Sequence, residues 1–174
     1  GLKGNTLGIF GLGKQALQVA NYGNAFGMRV IAWSHNLKRE DCEKANVEYV
    51  NSTDLFKTSD ILTIHTKLSE RTLGYIDKNN LKLMKKESVI VNTSRGPIIK
   101  EKDLIDALNN KIISCAALDV YDQEPLPRDH ILRKTKNLIL TPHIGYVSVE
   151  AYEKFFNGYL KAIEAFINKK PINQ

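Results

Sequence analysis

Cysteine is scarce in this chain: two in 174 residues, too few to staple a fold through disulfides. Cys42 lies in a polar helical stretch and Cys115 in an apolar, strand-like run, so two reduced, unpaired thiols are expected. Long apolar runs are also missing. None approaches the roughly 20 residues that span a bilayer, and no signal-peptide pattern stands at the N-terminus. These absences set the expectation of a cytoplasmic protein without membrane partners. The net charge is +6, yet the basic pairs Lys38-Arg39, Lys85-Lys86, Arg133-Lys134 and Lys169-Lys170 are dispersed. No basic stripe is interleaved with aromatics, which argues against nucleic acid and for a solvated surface mildly attractive to anionic ligands. Repeats, low-complexity stretches and internal linkers are lacking too, and no metal site is expected.

What is present is alternation. Short β-branched runs at 7–10, 29–33, 47–50, 61–65, 88–92, 114–119 and 137–140 read as strands. The runs Ile61-Leu-Thr-Ile64 and Val89-Ile-Val91 are apolar nearly throughout, which suits strands covered on both faces of a parallel sheet. Helical patterns fall between them. In 100–109, Leu104, Ile105, Ala107 and Leu108 make one apolar face. In 148–168, Tyr152, Phe155, Phe156, Tyr159, Ile163 and Phe166 recur at helical spacing, a stripe that reads as core or subunit contact rather than as a cofactor site. Ser52-Thr-Asp54 is expected to cap a short helix. Strand–helix alternation throughout predicts an α/β fold, a doubly wound and mainly parallel sheet with helices on both faces.

The most informative local feature is Gly11-Leu-Gly13-Lys-Gln-Ala16, directly after the apolar run 7–10 and opening the helical pattern 16–26. A dinucleotide's pyrophosphate needs bare backbone N–H groups at a helix N-terminus. Gly11 permits the tight turn, Gly13 lets the backbone approach the phosphates, and Ala16 allows close helix–sheet packing. Lys14 opposes the helix dipole unless an anion binds there.

Ligands of doubly wound sheets sit beyond the carboxyl ends of the strands. Three predicted strand ends are loaded with polar groups: Val91-Asn-Thr-Ser-Arg95-Gly-Pro97, Leu118-Asp-Val-Tyr-Asp-Gln-Glu124-Pro125 and Thr141-Pro-His143-Ile-Gly145-Tyr146. Together they supply a fixed cation, a carboxylate and an imidazole. Arginine binds a carboxylate through a bidentate fork. Histidine passes a proton near neutral pH, and a nearby glutamate favours its imidazolium form. This set suits reduction of a 2-oxo acid by a nicotinamide.

At these residues the chain strongly resembles the D-isomer-specific 2-hydroxyacid dehydrogenases, which include D-3-phosphoglycerate dehydrogenase and the glyoxylate/hydroxypyruvate reductases. Four ordered motifs carry the resemblance: Thr6-Leu-Gly-Ile-Phe-Gly-Leu-Gly13, Val91-Asn-Thr-Ser-Arg-Gly96, Ala117-Leu-Asp-Val-Tyr-Asp-Gln-Glu-Pro-Leu-Pro127 and Leu140-Thr-Pro-His-Ile-Gly145. The resemblance implies three catalytic roles. Arg95 would hold the substrate carboxylate, His143 would be the acid/base, and Glu124 would raise the imidazole's pKa. It further implies that Asp119 contacts the nicotinamide carboxamide and that Thr93, Ser94, Gly145 and Tyr146 line the cofactor, with Gln15 beside the phosphates. It also implies a homodimer formed through the coenzyme domain. Residues 1–174 are then expected to be a dinucleotide-binding domain whose separate substrate domain is absent from this chain.

Some positions depart from the family pattern. NAD-preferring sites carry Asp or Glu about 20 residues past the glycines; here that position is Ser34, followed by His35-Asn36 and then by Lys38-Arg39. The cofactor is therefore expected to be NAD or NADP, with a lean towards NADP(H). His65-Thr66-Lys67-Leu68 stands where the family often has His-x-Pro-Leu, and Gln15 replaces a commonly aliphatic residue. Two other functional classes fit the same motifs: a dinucleotide-sensing corepressor of the C-terminal-binding-protein type, and a catalytically inactive nucleotide-binding remnant.

Overall fold

All seven predicted strands are present in the computed structural model, which describes residues 1–172. They are β1 (Thr6–Phe10), β2 (Arg29–Trp33), β3 (Glu48–Tyr49), β4 (Ile61–Ile64), β5 (Val89–Asn92), β6 (Cys115–Leu118) and β7 (Leu138–Leu140). They pair in the order β3-β2-β1-β4-β5-β6-β7, every neighbour parallel. The chain winds outward from β1 to β3, returns to β4 on the other side of β1, and winds outward again. The reversal between β1 and β4 is the point where sheets of this kind hold ligands.

The register lines up the carboxyl ends. Trp33 pairs with Phe10, Phe10 with Ile64, Ile64 with Asn92, Asn92 with Leu118, and Leu118 with Leu140. The loops that follow these residues therefore leave from one rim of the sheet. Phe10 stacks on Trp33 at 5.5 Å between ring centres, and Tyr75 stacks on Trp33 at 5.4 Å, which ties the ends of β1 and β2 together.

Helices α1 (Lys14–Ala25), α2 (Arg39–Lys44), α3 (Ser52–Thr58), α4 (Lys78–Leu83) and α5 (Glu101–Asn109) make the crossovers. Successive strand side chains point to opposite faces, so the core has two parts. Leu7, Ile9, Val30 and Ala32 pack with Ala16 and Ala20 of α1 and Cys42 of α2. Phe10, Ile31, Leu62, Ile64 and Ile90 pack with Leu55 of α3, Leu81 of α4 and Leu104 of α5. Two expectations need adjustment. The run 47–50 forms only a two-residue strand, because Val47 and Val50 turn into the two cores. The cap of α3 is Asn51, not Ser52: the Asn51 side chain accepts from the Asp54 N–H at 2.8 Å.

Residues 1–142 form one compact unit and His143 begins a second. The second unit contains α6 (Val149–Ile167), whose N-terminus is capped by the Ser148 side chain. No residue of α6 is buried, and Phe166 is 81% exposed. Tyr152, Phe155, Phe156, Tyr159, Ile163 and Phe166 of the aromatic stripe are all exposed among the described residues. No helix among the described residues is long and apolar enough to cross a membrane.

Candidate active site

Gly11 leaves β1 with φ of +97°, a backbone conformation that favours glycine. A Cβ there would stand 2.7 Å from the Thr66 backbone nitrogen, so the turn closes tightly against the chain leaving β4. Gly13 is the N-cap of α1 and differs: its φ is −94°, and a Cβ would meet no atom of the described residues beyond its chain neighbours within 4 Å. Among the described residues no side chain caps α1, and no acidic residue stands in its first turn. The first N–H groups of this 12-residue helix are therefore presented bare, beside open space, where an anion is favoured.

A groove of about 800 Å³ runs from this turn along the end of β2. Gly11, Gly13, Ser34, Asn36, His65 and Lys67 are among its lining residues, so the glycine turn and the position that would carry a ribose-binding acid meet in one place. Asp41 is the carboxylate in this lining, with Lys44 and Lys67 as the ammonium groups. Burial lowers the pKa of His65, whose Nε2 lies 3.0 Å from Thr63 Oγ1. The groove fits an extended, anionic dinucleotide in size, charge and backbone presentation.

The next loops on the rim carry the cation and the carboxylate. Asn92, fully buried at the end of β5, organises the first of them. Its amide donates to Arg95 O at 2.9 Å, and its side-chain oxygen accepts from the Ser94 N–H at 3.0 Å. Ser94 Oγ donates to Thr66 O at 2.6 Å, tying the loop to the one after β4. Arg95 itself is exposed, with one guanidinium N–H on Ser94 O; Thr93 is exposed as well. Gly96 packs so closely that a Cβ would strike the Tyr121 carbonyl group and come within 2.6 Å of the Asp122 nitrogen. The Arg95 loop therefore lies directly against the loop after β6.

In that second loop the Tyr121 N–H donates to Glu124 Oε1 at 2.9 Å, which positions the carboxylate. Tyr121 Oη donates to Thr141 O at 2.7 Å, joining this loop to the chain leaving β7. Burial, then the Asp119 charge, holds the phenol above its ordinary pKa. Asp119 is 6% exposed and accepts from Thr141 Oγ1 at 2.5 Å.

His143, Gly145 and Tyr146 belong to the second unit. His143 takes a positive φ of +57°, and its ring stands edge-on to Tyr146 at 6.0 Å between ring centres. Lys14 and Gln15 are exposed on the first turn of α1. The bracing residues Asn92 and Tyr121 escaped the sequence reading. The available signal for Asn92 was a lone amide ending an apolar strand.

A parallel doubly wound sheet with a glycine turn and a bare helix N-terminus at its switch point defines a dinucleotide-binding α/β protein. The model of the D-isomer specific 2-hydroxyacid dehydrogenase NAD binding domain matches residues 1–145, and the chain belongs to that family. It is 46% identical over 149 residues to a glyoxylate reductase of Aeropyrum pernix, covering 86% of this chain and 44% of that one. A phosphoglycerate oxidoreductase structure from Vibrio cholerae superposes with a TM-score of 0.90 at 32% identity, covering 97% of this chain and 54% of that one. An acyclic imino acid reductase in complex with NADPH and D-Arg superposes with a TM-score of 0.82 at 31% identity, covering 99% and 54%. The chain thus spans about half the length of the relatives it matches.

Proposed function

We propose that the protein containing this chain reduces a small 2-oxo acid to the D-2-hydroxy acid, and that Arg95, Glu124 and His143 carry the chemistry. The observation that supports this best is the packing of the Arg95 loop against the Glu124 loop, at the paired ends Asn92 and Leu118 and on the same rim as the glycine turn. A nicotinamide bound along that rim supplies the hydride. Arg95 takes the substrate carboxylate in a bidentate grip. His143 is the proposed donor of the proton to the carbonyl oxygen as that oxygen becomes a hydroxyl, and Glu124 is proposed as its partner carboxylate. Asp119 is the proposed contact to the nicotinamide carboxamide. Thr93, Ser94, Gly145 and Tyr146 are assigned to the cofactor's surroundings.

The cofactor reading leans to NADP(H). Ser34 stands where a carboxylate would repel a 2′-phosphate, and the related imino acid reductase is a complex with NADPH. The substrate side of the cleft is assigned to the part of the relatives' length that this chain does not span. A homodimer is proposed through α6, supported by its row of exposed aromatic and aliphatic side chains. Sedimentation of the chain at micromolar concentration tests it: dimer is expected, and monomer alone rejects it.

The functional test uses the full-length protein, both cofactors and a panel of 2-oxo acids. His143→Ala is expected to lower turnover by about 10²–10⁴-fold, the usual weight of general acid catalysis. Arg95→Lys is expected to weaken turnover too, because a point charge does not replace a fork. Parent-like rates in both variants reject these roles. A parent that reduces no oxo acid but captures a peptide favours the corepressor class instead.

A further inference from the structure

Two loops build the groove wall at the end of β2. Asn36 lies two residues past Ser34, and its side-chain oxygen accepts from Arg71 Nη1 at 3.3 Å. Arg71 comes from the segment between β4 and α4. That segment is braced around Thr72, which is 4% exposed. Thr72 Oγ1 donates to Lys67 O at 2.7 Å and accepts from the Ser69 N–H at 2.8 Å. Lys67, which Thr72 holds, lines the groove, and Arg71 meets the groove at Asn36 while its side chain stays exposed.

The cations directly after β2 are placed differently. The Arg39 guanidinium lies over the Tyr49 ring, 5.4 Å from its centre, at β3. Lys38 is the N-cap residue of α2. Arg71 makes no ion pair and no further side-chain hydrogen bond among the described residues. A guanidinium with open donors presents a planar fork that matches phosphate oxygens, and the Asn36 amide adds N–H donors at the same place.

We propose that Arg71, steered by Asn36, is the specificity-determining cation for the 2′-phosphate of NADP(H). The loop after β4, rather than the residues next to β2, then discriminates between the two nicotinamide cofactors. This rests on the NADP(H) reading above and adds to it the residue responsible.

Calorimetric titration of the 174-residue chain with NADPH, NADH, adenosine 2′,5′-bisphosphate and AMP tests it. Arg71→Gln is expected to weaken NADPH and the bisphosphate by roughly ten- to a hundred-fold, the range of a charge-assisted contact, with NADH and AMP unchanged. Arg71→Lys is expected to fall between, keeping the charge without the fork. Added salt is expected to narrow the parent's gap between NADPH and NADH. If the parent prefers NADPH and Arg71→Gln keeps that preference, the role of Arg71 is overturned and the cofactor reading stands. Equal weakening of NADPH and NADH likewise overturns it. A parent that binds NADH more tightly than NADPH removes the cofactor reading and this proposal together.

Discussion

Gly11 and Gly13 lie in one turn, yet substituting them is expected to do opposite things. At Gly11, alanine must hold φ near +97°, which costs about 1–2 kcal/mol for an L-residue. Its Cβ also falls 2.7 Å from the Thr66 nitrogen and 2.8 Å from the Thr66 Cα. Those atoms are backbone and cannot swing aside, so overpacking adds about 1–3 kcal/mol. Gly11→Ala should therefore lose about 2–5 kcal/mol of stability, a fall of roughly 5–15 °C in Tm for a domain of this size. At Gly13, φ is −94° and a Cβ meets no atom of the described residues beyond its chain neighbours within 4 Å, so Gly13→Ala should leave the melting temperature almost unchanged. The new methyl would occupy the approach of the phosphates, so the same variant should lose dinucleotide affinity. Thermal unfolding and calorimetric titration of both variants are the assays. A Gly13→Ala chain that melts like Gly11→Ala, or one that binds dinucleotide like the parent, would refute the division of labour argued for this turn.

Other expectations follow from named contacts. Asp60 accepts from the Thr6 N–H and from Lys85 Nζ, both at 2.7 Å. Burial alone would raise its carboxyl pKa, but Lys85 and the Thr6 N–H outweigh it and hold the pKa below the ordinary value. That stabilisation is complete above the ordinary carboxylate range and is lost as pH falls through the depressed pKa. Asp60→Asn should cost about 1–2 kcal/mol near neutral pH, and the gap in urea midpoint between variant and parent should close in acid; a gap that widens in acid contradicts the assignment. The Cys42 thiol is buried in the α1–α2 core, and burial pushes its pKa up to about 11. It should resist Ellman's reagent at pH 8 until urea is added, and rapid labelling mapped to Cys42 in the folded chain would count against the packing described.

Much of this architecture was legible because it is local. Apolar runs located all seven strands, and the three long helices were found within two residues of their ends. α4 was not legible: it is six residues long, polar but for two leucines, with only Leu81 buried, and it depends on the Asp77 side chain accepting from the Asn79 and Asn80 N–H groups. β3 shrank because both flanking valines serve other packing. In the candidate site, Arg95 and Glu124 stood out through short contiguous motifs. What holds them did not, since those contacts join distant segments: Ser94 to Thr66, Thr141 to Asp119, and the Gly96 backbone to Tyr121. The pairing of Asn36 with Arg71 spans 35 residues and carries no periodicity that would betray it.

The chain belongs to the NAD binding domain family of the D-isomer specific 2-hydroxyacid dehydrogenases and spans about half the length of its relatives; the proposal to test is that it binds the dinucleotide but does not by itself turn over an oxo acid. The most direct measurement is one preparation of the 174-residue chain, titrated calorimetrically with NADPH and NADH and assayed for oxo-acid-dependent oxidation of the same nucleotides. Saturable binding with little or no turnover is the predicted result, since the proposal assigns exclusion of water and orientation of the oxo acid to the part of the relatives' length that this chain does not span. Absence of binding to either nucleotide, or turnover at the rate of the full-length protein, would contradict the account.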